Sequence, residues 1–200
     1  MYINDLMLIP RISRKPVFSH HEDMQTQRGG GPGGAQQIRV HIRWMIRRDM
    51  PEVLRIEQTS HDYPWCEEDF LRCLRQRNCI GKVAEQGEKI VGFMIYELHK
   101  TKYHFLNFAV HPDFRRHGVG TQMIEKKVST LSSGHKNKIL IEIRETNLDA
   151  QLFFRSCGFR ATGVSRESYS DTGEDAYIME YRLREPMENN QAAGNIRSAS

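Results

Sequence analysis

Hydrophobic and polar positions follow two periods along the middle of the chain, and each period predicts one kind of element. Runs that alternate every second residue, or that are almost continuously apolar, predict strands, whereas apolar residues three or four positions apart predict helices. The predicted strands lie near residues 38–46, 80–85, 89–98, 105–110, 139–144, 159–166 and 177–183. The predicted helices follow Asp49 and Trp65, run from about Gly118 to Ser132, and span Leu148 to Ser156. The elements therefore follow the order β-α-α-β-β-β-α-β-α-β-β.

Local sequence signals support several of these boundaries. Asp49 precedes Glu52 by three residues, which predicts a capping box at the start of the first helix. Gln86-Gly87-Glu88 predicts a tight turn between two strands. Ser133-Gly134 and Cys157-Gly158 predict the ends of two helices.

The two ends of the chain lack this periodicity. Residues 1–37 contain a Gly-rich run, 28–34, which favours neither helix nor strand. Residues 185–200 are rich in small and polar residues, and the mean hydropathy of the chain, −0.62, is low for a fully globular protein. We therefore predict a disordered leader over residues 1–37, one folded domain over 38–184 and a disordered tail over 185–200.

Charge and cysteine content narrow the classes of function. The net charge of +4 and the pI near 8.9 suit an anionic ligand, but the excess is too small to indicate nucleic-acid binding. No apolar run approaches the roughly 20 residues of a membrane span, and Leu6-Met7-Leu8-Ile9 is too short for a signal peptide. The four cysteines form no C-x-x-C pair, and the histidines form no metal motif. We predict a cytoplasmic protein without membrane, nucleic-acid or metal partners.

The most informative motif is a basic, glycine-containing turn between a predicted strand and a predicted helix. Arg115-Arg116-His117-Gly118-Val119-Gly120 follows the apolar run 105–110 and precedes residues 121–128. Glycines allow the backbone to approach a ligand closely, and the first N–H groups of a helix attract anions. The spacing matches neither a P-loop nor a dinucleotide fingerprint. The turn predicts a phosphate site; the alternative is a surface turn with two incidental glycines.

Other positions are candidates for chemistry. Alternation within Ile139–Ile143 places Glu142 opposite the isoleucines, either as a general base in a cleft or as a solvated strand residue. Asn147 either caps the next helix or offers its amide to a ligand. Pro64 fixes a turn in which Trp65 is either a core residue or a wall of a peptide groove.

These features together resemble the GNAT superfamily of acetyl-CoA-dependent N-acetyltransferases, and within it the RimI type. RimI-type enzymes acetylate protein N-termini, notably the N-terminal alanine of a small-subunit ribosomal protein. The likeness covers residues from about 40 to 183. It is carried by the runs 105–120, 141–144 and 153–159, by Asn147, by Glu57, His61, Pro64, Trp65 and Phe70 upstream, and by Tyr169 and 174–179 near the end.

The resemblance implies a role for each matching position. The acetyl-pantetheine arm would meet the backbone of Phe108, Ala109 and Val110, with the Val110 N–H polarising the thioester carbonyl. The CoA pyrophosphate would be cradled by the backbone N–H groups of Arg115, Arg116, His117, Gly118, Val119, Gly120 and Thr121. Asn147 would touch the pantetheine, and Glu142 occupies the position of the general base. The acceptor would lie against Tyr63 and Trp65.

One position departs from the family pattern. RimI-type enzymes carry a tyrosine where this chain has Phe154, and that tyrosine is assigned to protonate the departing thiolate. Phenylalanine would still border the cofactor, but it cannot donate a proton. General acid–base assistance is typically worth roughly 10²–10⁴-fold, so we expect a slower reaction rather than none. We expect Tyr169 or a bound water to act as the substitute donor.

The resemblance also implies a fold and an activity. The fold is α/β, with a mixed, mostly antiparallel, twisted sheet, helices on both faces, and a central pair of strands, 105–110 and 139–144, that splay apart. The activity is transfer of an acetyl group from acetyl-CoA to a protein N-terminal α-amine. Two alternatives remain: a lysine or small-molecule amine as acceptor, and a CoA-binding module without turnover.

Overall fold

One seven-stranded sheet runs through the residues that the computed structural model describes, 37–169 and 172–183. Its strands are β1 (His41–Trp44), β2 (Cys79–Gln86), β3 (Lys89–Leu98), β4 (Lys102–Val110), β5 (Lys138–Arg144), β6 (Arg160–Tyr169) and β7 (Glu174–Arg182). Their spatial order is β1-β2-β3-β4-β5-β7-β6. Every neighbouring pair is antiparallel except β4 and β5, which are parallel. The predicted mixed, mostly antiparallel sheet is confirmed.

Within the described residues, four α-helices and two short 3₁₀ helices connect the strands. The α-helices are α1 (Met50–Ser60), α2 (Glu67–Leu74), α3 (Val119–Val128) and α4 (Leu148–Ser156), and the 3₁₀ helices are Arg47–Asp49 and Pro112–Phe114. The predicted order of strands and α-helices is therefore confirmed. None of the helices within residues 37–169 and 172–183 has the length and apolar character needed to cross a bilayer.

Two hydrophobic cores hold the helices against opposite faces of the sheet. Helices α1 and α2 pack one face through residues such as Ile56 and Phe70, and α3 and α4 pack the other through residues such as Met123 and Phe154. Because side chains alternate along β5, its three isoleucines pack in the core on the α3 side of the sheet, as the sequence pattern predicts. The helices therefore cover both faces, as predicted.

A β-bulge in β4 changes which of its side chains face α1. Tyr96 on β3 pairs with Phe105, whereas its neighbour Ile95 pairs with Asn107, so one extra residue of β4 is accommodated between them. Phe105 packs in the α3-side core, and Ala109 packs in the α1-side core. The bulge thereby turns Asn107 toward α1.

Several predicted boundaries differ from the structure. Strand β1 is confined to His41–Trp44, α3 ends at Val128 rather than Ser132, and β6 and β7 each start or end several residues away from the prediction. The predicted capping box at Asp49 is wrong, because its carboxylate does not cap α1. It accepts instead from the Ile46 N–H at 2.8 Å and from Arg43 at 2.7 Å. The predicted tail and almost all of the predicted leader lie outside the described residues, so those boundaries remain predictions.

Candidate functional site

A gap opens in the middle of the sheet where β4 and β5 stop pairing. Their last parallel pair in the described structure is Phe105 with Ile141. Strand β4 nevertheless continues to Val110 along β3, and β5 continues to Arg144 along β7. The facing edges beyond the last pair therefore present backbone groups to whatever lies between them. The predicted splay of these strands is confirmed.

The backbone N–H of Val110 points into this gap. The next residue, His111, donates its N–H to the Val91 carbonyl on β3 at 2.9 Å. Successive N–H groups of an extended chain point to opposite sides, so the Val110 N–H points away from β3. The Val110 carbonyl points the same way and accepts from Nε of Arg115 at 3.0 Å. A donor thus faces the gap at the end of β4.

The loop after β4 leads into the N-terminus of α3, which we call the open end of the helix because its first N–H groups have no intrahelical acceptor. Phe114 donates its N–H to the His111 carbonyl at 2.9 Å, and Arg116 and Gly118 then adopt the left-handed region with φ of 64° and 78°. The N–H of Gln122 donates to the Gly118 carbonyl at 3.1 Å, which starts the helix. The N–H groups before Gln122 therefore lack intrahelical acceptors, an arrangement that attracts anions. Strand, turn and helix lie as predicted; phosphate binding by the turn stays a prediction.

The segment before β1 packs on this loop, a contact that sequence reasoning missed. The Ile38 N–H donates to the His117 carbonyl at 3.0 Å. The Gln122 side chain accepts from the Val40 N–H at 3.2 Å and donates to the Ile38 carbonyl at 2.6 Å. These contacts brace the start of α3. No local signal marks them, because the partners are 79 to 84 residues apart in the chain.

Aromatic rings from β4 and α4 pack together on the α3 side of the gap. The Phe108 ring stacks on Phe153 with centroids 5.8 Å apart and meets the edge of Phe154 at 5.5 Å. Phe154 is only 2% exposed, so its ring belongs to the core. A Cβ at Gly120 would lie 2.9 Å from Cζ of Phe153. Glycine at this position therefore allows α3 and α4 to approach closely.

Glu142 lies on the α1 side of the sheet, as the alternation of β5 predicts. Its side chain is 42% exposed, which makes it an accessible carboxylate. Its Oε1 lies 3.9 Å from Nε2 of His104 on β4. Burial lowers the pKa of His104, although the Glu142 carboxylate acts in the opposite direction. The imidazole is therefore neutral near pH 7, and this pair is not an ion pair at that pH.

Asn147 caps α4. Its Oδ1 accepts the N–H of Ala150 at 3.1 Å, so the capping interpretation is correct. The cap uses the carbonyl oxygen alone, and the amide NH₂ is a separate donor group. The capping role and a contact to a ligand are therefore compatible.

Arg144 joins three parts of the chain at the end of β5. Its guanidinium carbon lies 4.6 Å from the Tyr63 ring centroid and 3.8 Å from that of Tyr169. Its Nη1 also contacts Oε2 of Glu174 at 2.6 Å. Two predicted site residues, Tyr63 and Tyr169, are thereby brought together around an arginine to which the sequence analysis assigned no role.

A second carboxylate, Glu57, lies buried beneath the turn that follows α1. It is 1% exposed, and its Oε1 accepts from the Trp65 N–H at 2.8 Å and from Nδ2 of Asn107 at 3.1 Å. Its Oε2 lies 3.4 Å from Nε2 of His61, and neither atom has a hydrogen-bond partner among the described residues. Burial raises the pKa of Glu57, although His61 and the hydrogen bonds lower it. This network links α1, the Trp65 turn and β4.

Sequence reasoning named Glu57 within the family resemblance but gave it no role. The available signal is its position: Val53, Ile56 and Glu57 share the buried face of α1, so an acidic residue sits on an apolar stripe. The Trp65 ring packs edge-on against Phe70 at 5.3 Å, beside the same core. The core interpretation of Trp65 is therefore supported.

Comparisons with known proteins agree with this geometry. The acetyltransferase (GNAT) domain family matches residues 77–161. The alanine N-acetyltransferase of ribosomal protein bS18 from Escherichia coli K12 is 30% identical over 133 residues, which are 66% of this chain and 89% of that protein. The crystal structure of the ribosomal-protein-S18-alanine N-acetyltransferase from Escherichia coli has a TM-score of 0.65 and 27% identity, covering 76% of this chain and 98% of that chain.

A more distant structure shares the fold. Arabidopsis thaliana NAA60, solved in complex with acetyl-CoA, has a TM-score of 0.63 and 16% identity. The match covers 72% of this chain and 100% of that chain. The architecture described above is therefore retained at low sequence identity.

Proposed function

This chain belongs to the GNAT superfamily of acetyltransferases, within its RimI-like group, and from that premise we propose that it transfers the acetyl group of acetyl-CoA to the N-terminal α-amine of a protein. The observation that carries the proposal is the gap between β4 and β5, with the Val110 N–H directed into it and the open end of α3 beside it. The N-terminal alanine of ribosomal protein bS18, the acceptor named for the relative at 30% identity, is the first acceptor to test.

The backbone of β4 and the loop after it would bind acetyl-CoA. The segment Phe108–Val110 would lie along the pantetheine arm, and the Val110 N–H would stabilise the oxyanion that forms on the thioester carbonyl. The N–H groups of residues 116–121 would receive the pyrophosphate at the helix end, whereas the backbone N–H of Arg115 already donates to the Pro112 carbonyl at 3.1 Å. The amide NH₂ of Asn147 would contact the pantetheine while its oxygen keeps the cap. The family's chemistry uses acetyl-CoA as donor without a metal cofactor.

Glu142 would take the proton from the attacking amine. Its exposure suits a relay through one water, because the acceptor must enter from solvent. An α-amine with a pKa of about 7.7–8.0 is roughly 20–33% neutral near pH 7.4, a deficit of less than about 1 kcal/mol. A lysine amine with a pKa of about 10.4 is only about 0.1% neutral, a deficit of about 4 kcal/mol. A modest base such as an exposed carboxylate therefore suits an N-terminus better than a lysine.

The departing CoA thiolate needs little assistance. The amine nitrogen bonds to the thioester carbon, the tetrahedral intermediate collapses, and the carbon–sulfur bond breaks to release thiolate. A thiol with a pKa of about 8.5 leaves without a strong acid. Phe154 cannot supply a proton and would only border the cofactor, so Tyr169 or a bound water would protonate the sulfur.

The acceptor would approach on the α1 side of the sheet. Glu142 faces that side, and the Tyr63 and Tyr169 rings flank Arg144 there. Trp65 would support the groove from below, because its ring packs on Phe70 and its backbone N–H donates to the Glu57 carboxylate. The four cysteines form no disulfide within the described residues, which is consistent with the proposed cytoplasmic location.

A coupled thiol-release assay tests the proposal. Wild-type protein, acetyl-CoA and a peptide that begins with alanine should release CoA, whereas the same peptide with a blocked N-terminus and an internal lysine should release little. Release only with lysine or small amines would assign the acceptor to those classes. Tight CoA binding without release for any amine would indicate a binding module without turnover.

The Glu142→Gln variant tests the base in the same assay. We expect kcat to fall by up to roughly 10²-fold near pH 7, at the low end of the usual range for general acid–base catalysis, and to recover in part at higher pH where the amine is already neutral. An unchanged rate at every pH would exclude Glu142 as the base.

A further inference from the structure

Three potential metal ligands lie together on the α1 side of the sheet, beyond the helices that cover it. Glu97 is the penultimate residue of β3, and His99 lies just beyond the end of that strand. His104 on β4 pairs directly with Glu97. The turn that joins them is closed by the His99 N–H, which donates to the Lys102 carbonyl at 3.0 Å. The backbone therefore holds the three side chains on neighbouring, hydrogen-bonded strands.

The distances are close to those of a metal site. Oε2 of Glu97 and Nε2 of His99 are 3.0 Å apart, and one ligand atom from each of the three residues lies within 4.8 Å of the others. Two metal–ligand bonds of about 2.0–2.1 Å at a tetrahedral angle place the ligand atoms about 3.4 Å apart. The 3.0 Å between Glu97 and His99 is close to that value, and 4.8 Å is the upper bound for the pairs that include His104. All three side chains are partly exposed, so an ion can reach them from solvent.

The electrostatics of the cluster favour a cation. The Glu142 carboxylate lies 3.9 Å from Nε2 of His104, so a second carboxylate stands beside the three potential ligands. The groups that act electrostatically on His104 are the carboxylates of Glu97 and Glu142, the ammonium of Lys102 and the imidazole of His99, which is itself one of the three potential ligands. The negative charge of the two carboxylates beside His104 therefore exceeds the positive charge of the single ammonium group.

The nearest thiols are poorer ligands. Cys79 pairs with Glu97 across β2 and β3, and Cys73 lies beside Cys79. Both cysteines are buried, so an ion that enters from solvent cannot reach their thiols as it reaches the three partly exposed side chains.

We propose that Glu97, His99 and His104 form a binding site for a divalent transition-metal ion, with Zn²⁺ as the ion that suits two imidazoles and one carboxylate. Three protein ligands would leave a fourth position open. Glu142 lies within reach of that position, because its Oε1 is 3.9 Å from Nε2 of His104. The ion is not a cofactor of acetyl transfer; it inhibits the reaction by engaging Glu142. The inhibition, though not the binding, rests on the proposed role of Glu142 as the base.

Calorimetric titration of the full chain with ZnCl₂ tests the binding. We expect saturable binding to the wild type that weakens by more than about tenfold in His99→Ala and in His104→Ala, because losing only an outer partner of a metal ligand already costs roughly 10–100-fold. His135→Ala, at an exposed histidine in a turn, is the matched control and should bind as the wild type does. Cys79→Ala should also bind normally. The visible absorption bands of bound Co²⁺ should disappear in the same two histidine variants.

Activity measurements separate this inference from the proposed function. In the thiol-release assay, Zn²⁺ should lower the rate of the wild type by at least about tenfold, since a general base is typically worth more than that. It should leave His99→Ala unaffected, and without Zn²⁺ that variant should react as the wild type does. Equal Zn²⁺ affinity in wild type and histidine variants, or loss of affinity only in Cys79→Ala, would overturn the site. Absence of turnover without Zn²⁺ would count against the proposed function and leave the titration unaffected.

Discussion

At the scale of single residues, two carboxylates on the α1 side of the sheet have opposite environments. The Glu142 side chain is 42% exposed. Glu57 is 1% exposed, and one of its carboxylate oxygens accepts two hydrogen bonds. An exposed carboxylate can exchange protons with solvent and with an incoming amine. A buried one is better suited to fixing the position of its neighbours, here the Trp65 turn and Asn107. We therefore assign the proposed proton transfer to Glu142 and treat Glu57 as a positioning residue.

The raised pKa of Glu57 makes a prediction about stability and pH. A carboxyl whose pKa is raised by folding stabilises the native state fully below its unfolded pKa, near 4.3, and this contribution is lost as pH rises through the folded pKa. Glu57→Gln keeps an acceptor for the Trp65 N–H but does not titrate. Its free energy of unfolding relative to wild type should rise from pH 4 to pH 8, by about 1.4 kcal/mol for each unit by which the pKa is raised. Urea denaturation across that range measures the difference.

A glutamine substitution elsewhere on α1 provides the control. Glu52→Gln, at an exposed glutamate of the same helix, should show no such trend with pH. A difference between Glu57→Gln and wild type that stays flat from pH 4 to pH 8 would contradict the assignment of a buried, protonation-prone carboxyl.

Phe154 makes a prediction about catalysis. Its ring is buried among Phe108, Phe153 and Phe159, with ring centroids 5.1–5.5 Å away. Phe154→Tyr adds a donor at the position where the family has one, so kcat with acetyl-CoA and an alanine peptide should be equal or higher. A large fall in kcat, with folding intact by circular dichroism, would show that this ring packs for a different geometry.

At the scale of elements, the start of α3 is held by two neighbours. The segment before β1 binds the His117 carbonyl and Gln122, and α4 presses Phe153 against Gly120. These contacts fix the direction of the N–H groups that would receive the pyrophosphate. Order in this loop therefore depends on parts of the chain that are distant in sequence.

Gly120→Ala tests the contact between α3 and α4. The new methyl would lie 2.9 Å from Phe153, so that ring must shift, and the ring stacks on Phe108 beside the gap. Alanine gains about 1 kcal/mol of helix propensity, which offsets part of the strain, so stability should change little. We expect the effect in the KM for acetyl-CoA, which should rise severalfold. Gly163→Ala, whose methyl would meet nothing closer than 3.6 Å, should leave KM unchanged.

At the scale of the whole molecule, the sheet separates two tasks. The α3 side and the open helix end would hold the donor, and the α1 side, with Glu142 and the Arg144 cluster, would hold the acceptor. The gap between β4 and β5 joins the two sides at one point. Transfer across this gap brings the reacting groups together without a further domain.

Truncation at the N-terminus tests where the folded unit starts. Removal of residues 1–36 leaves Ile38 and Val40 in place on Gln122, so kcat and the KM for acetyl-CoA should stay near wild type. Removal of residues 1–40 deletes those partners and should raise that KM several-fold. Equal effects of the two truncations would contradict a bracing role for residues 37–40.

The sequence determined the order of elements, the strand–turn–helix motif and the faces of β5, because these follow from periodicity, glycine placement and alternation over neighbouring positions. Only the tertiary structure decided how far the Glu142 side chain is exposed and that the Asp49 carboxylate binds Arg43 instead of capping α1. It also decided that Glu97, His99 and His104 lie together beside Glu142. Each of these depends on strand register, on a bulge, or on contacts between residues far apart in the chain. Local pattern carries no information on such distances, because burial and pairing are set by all the packed elements together.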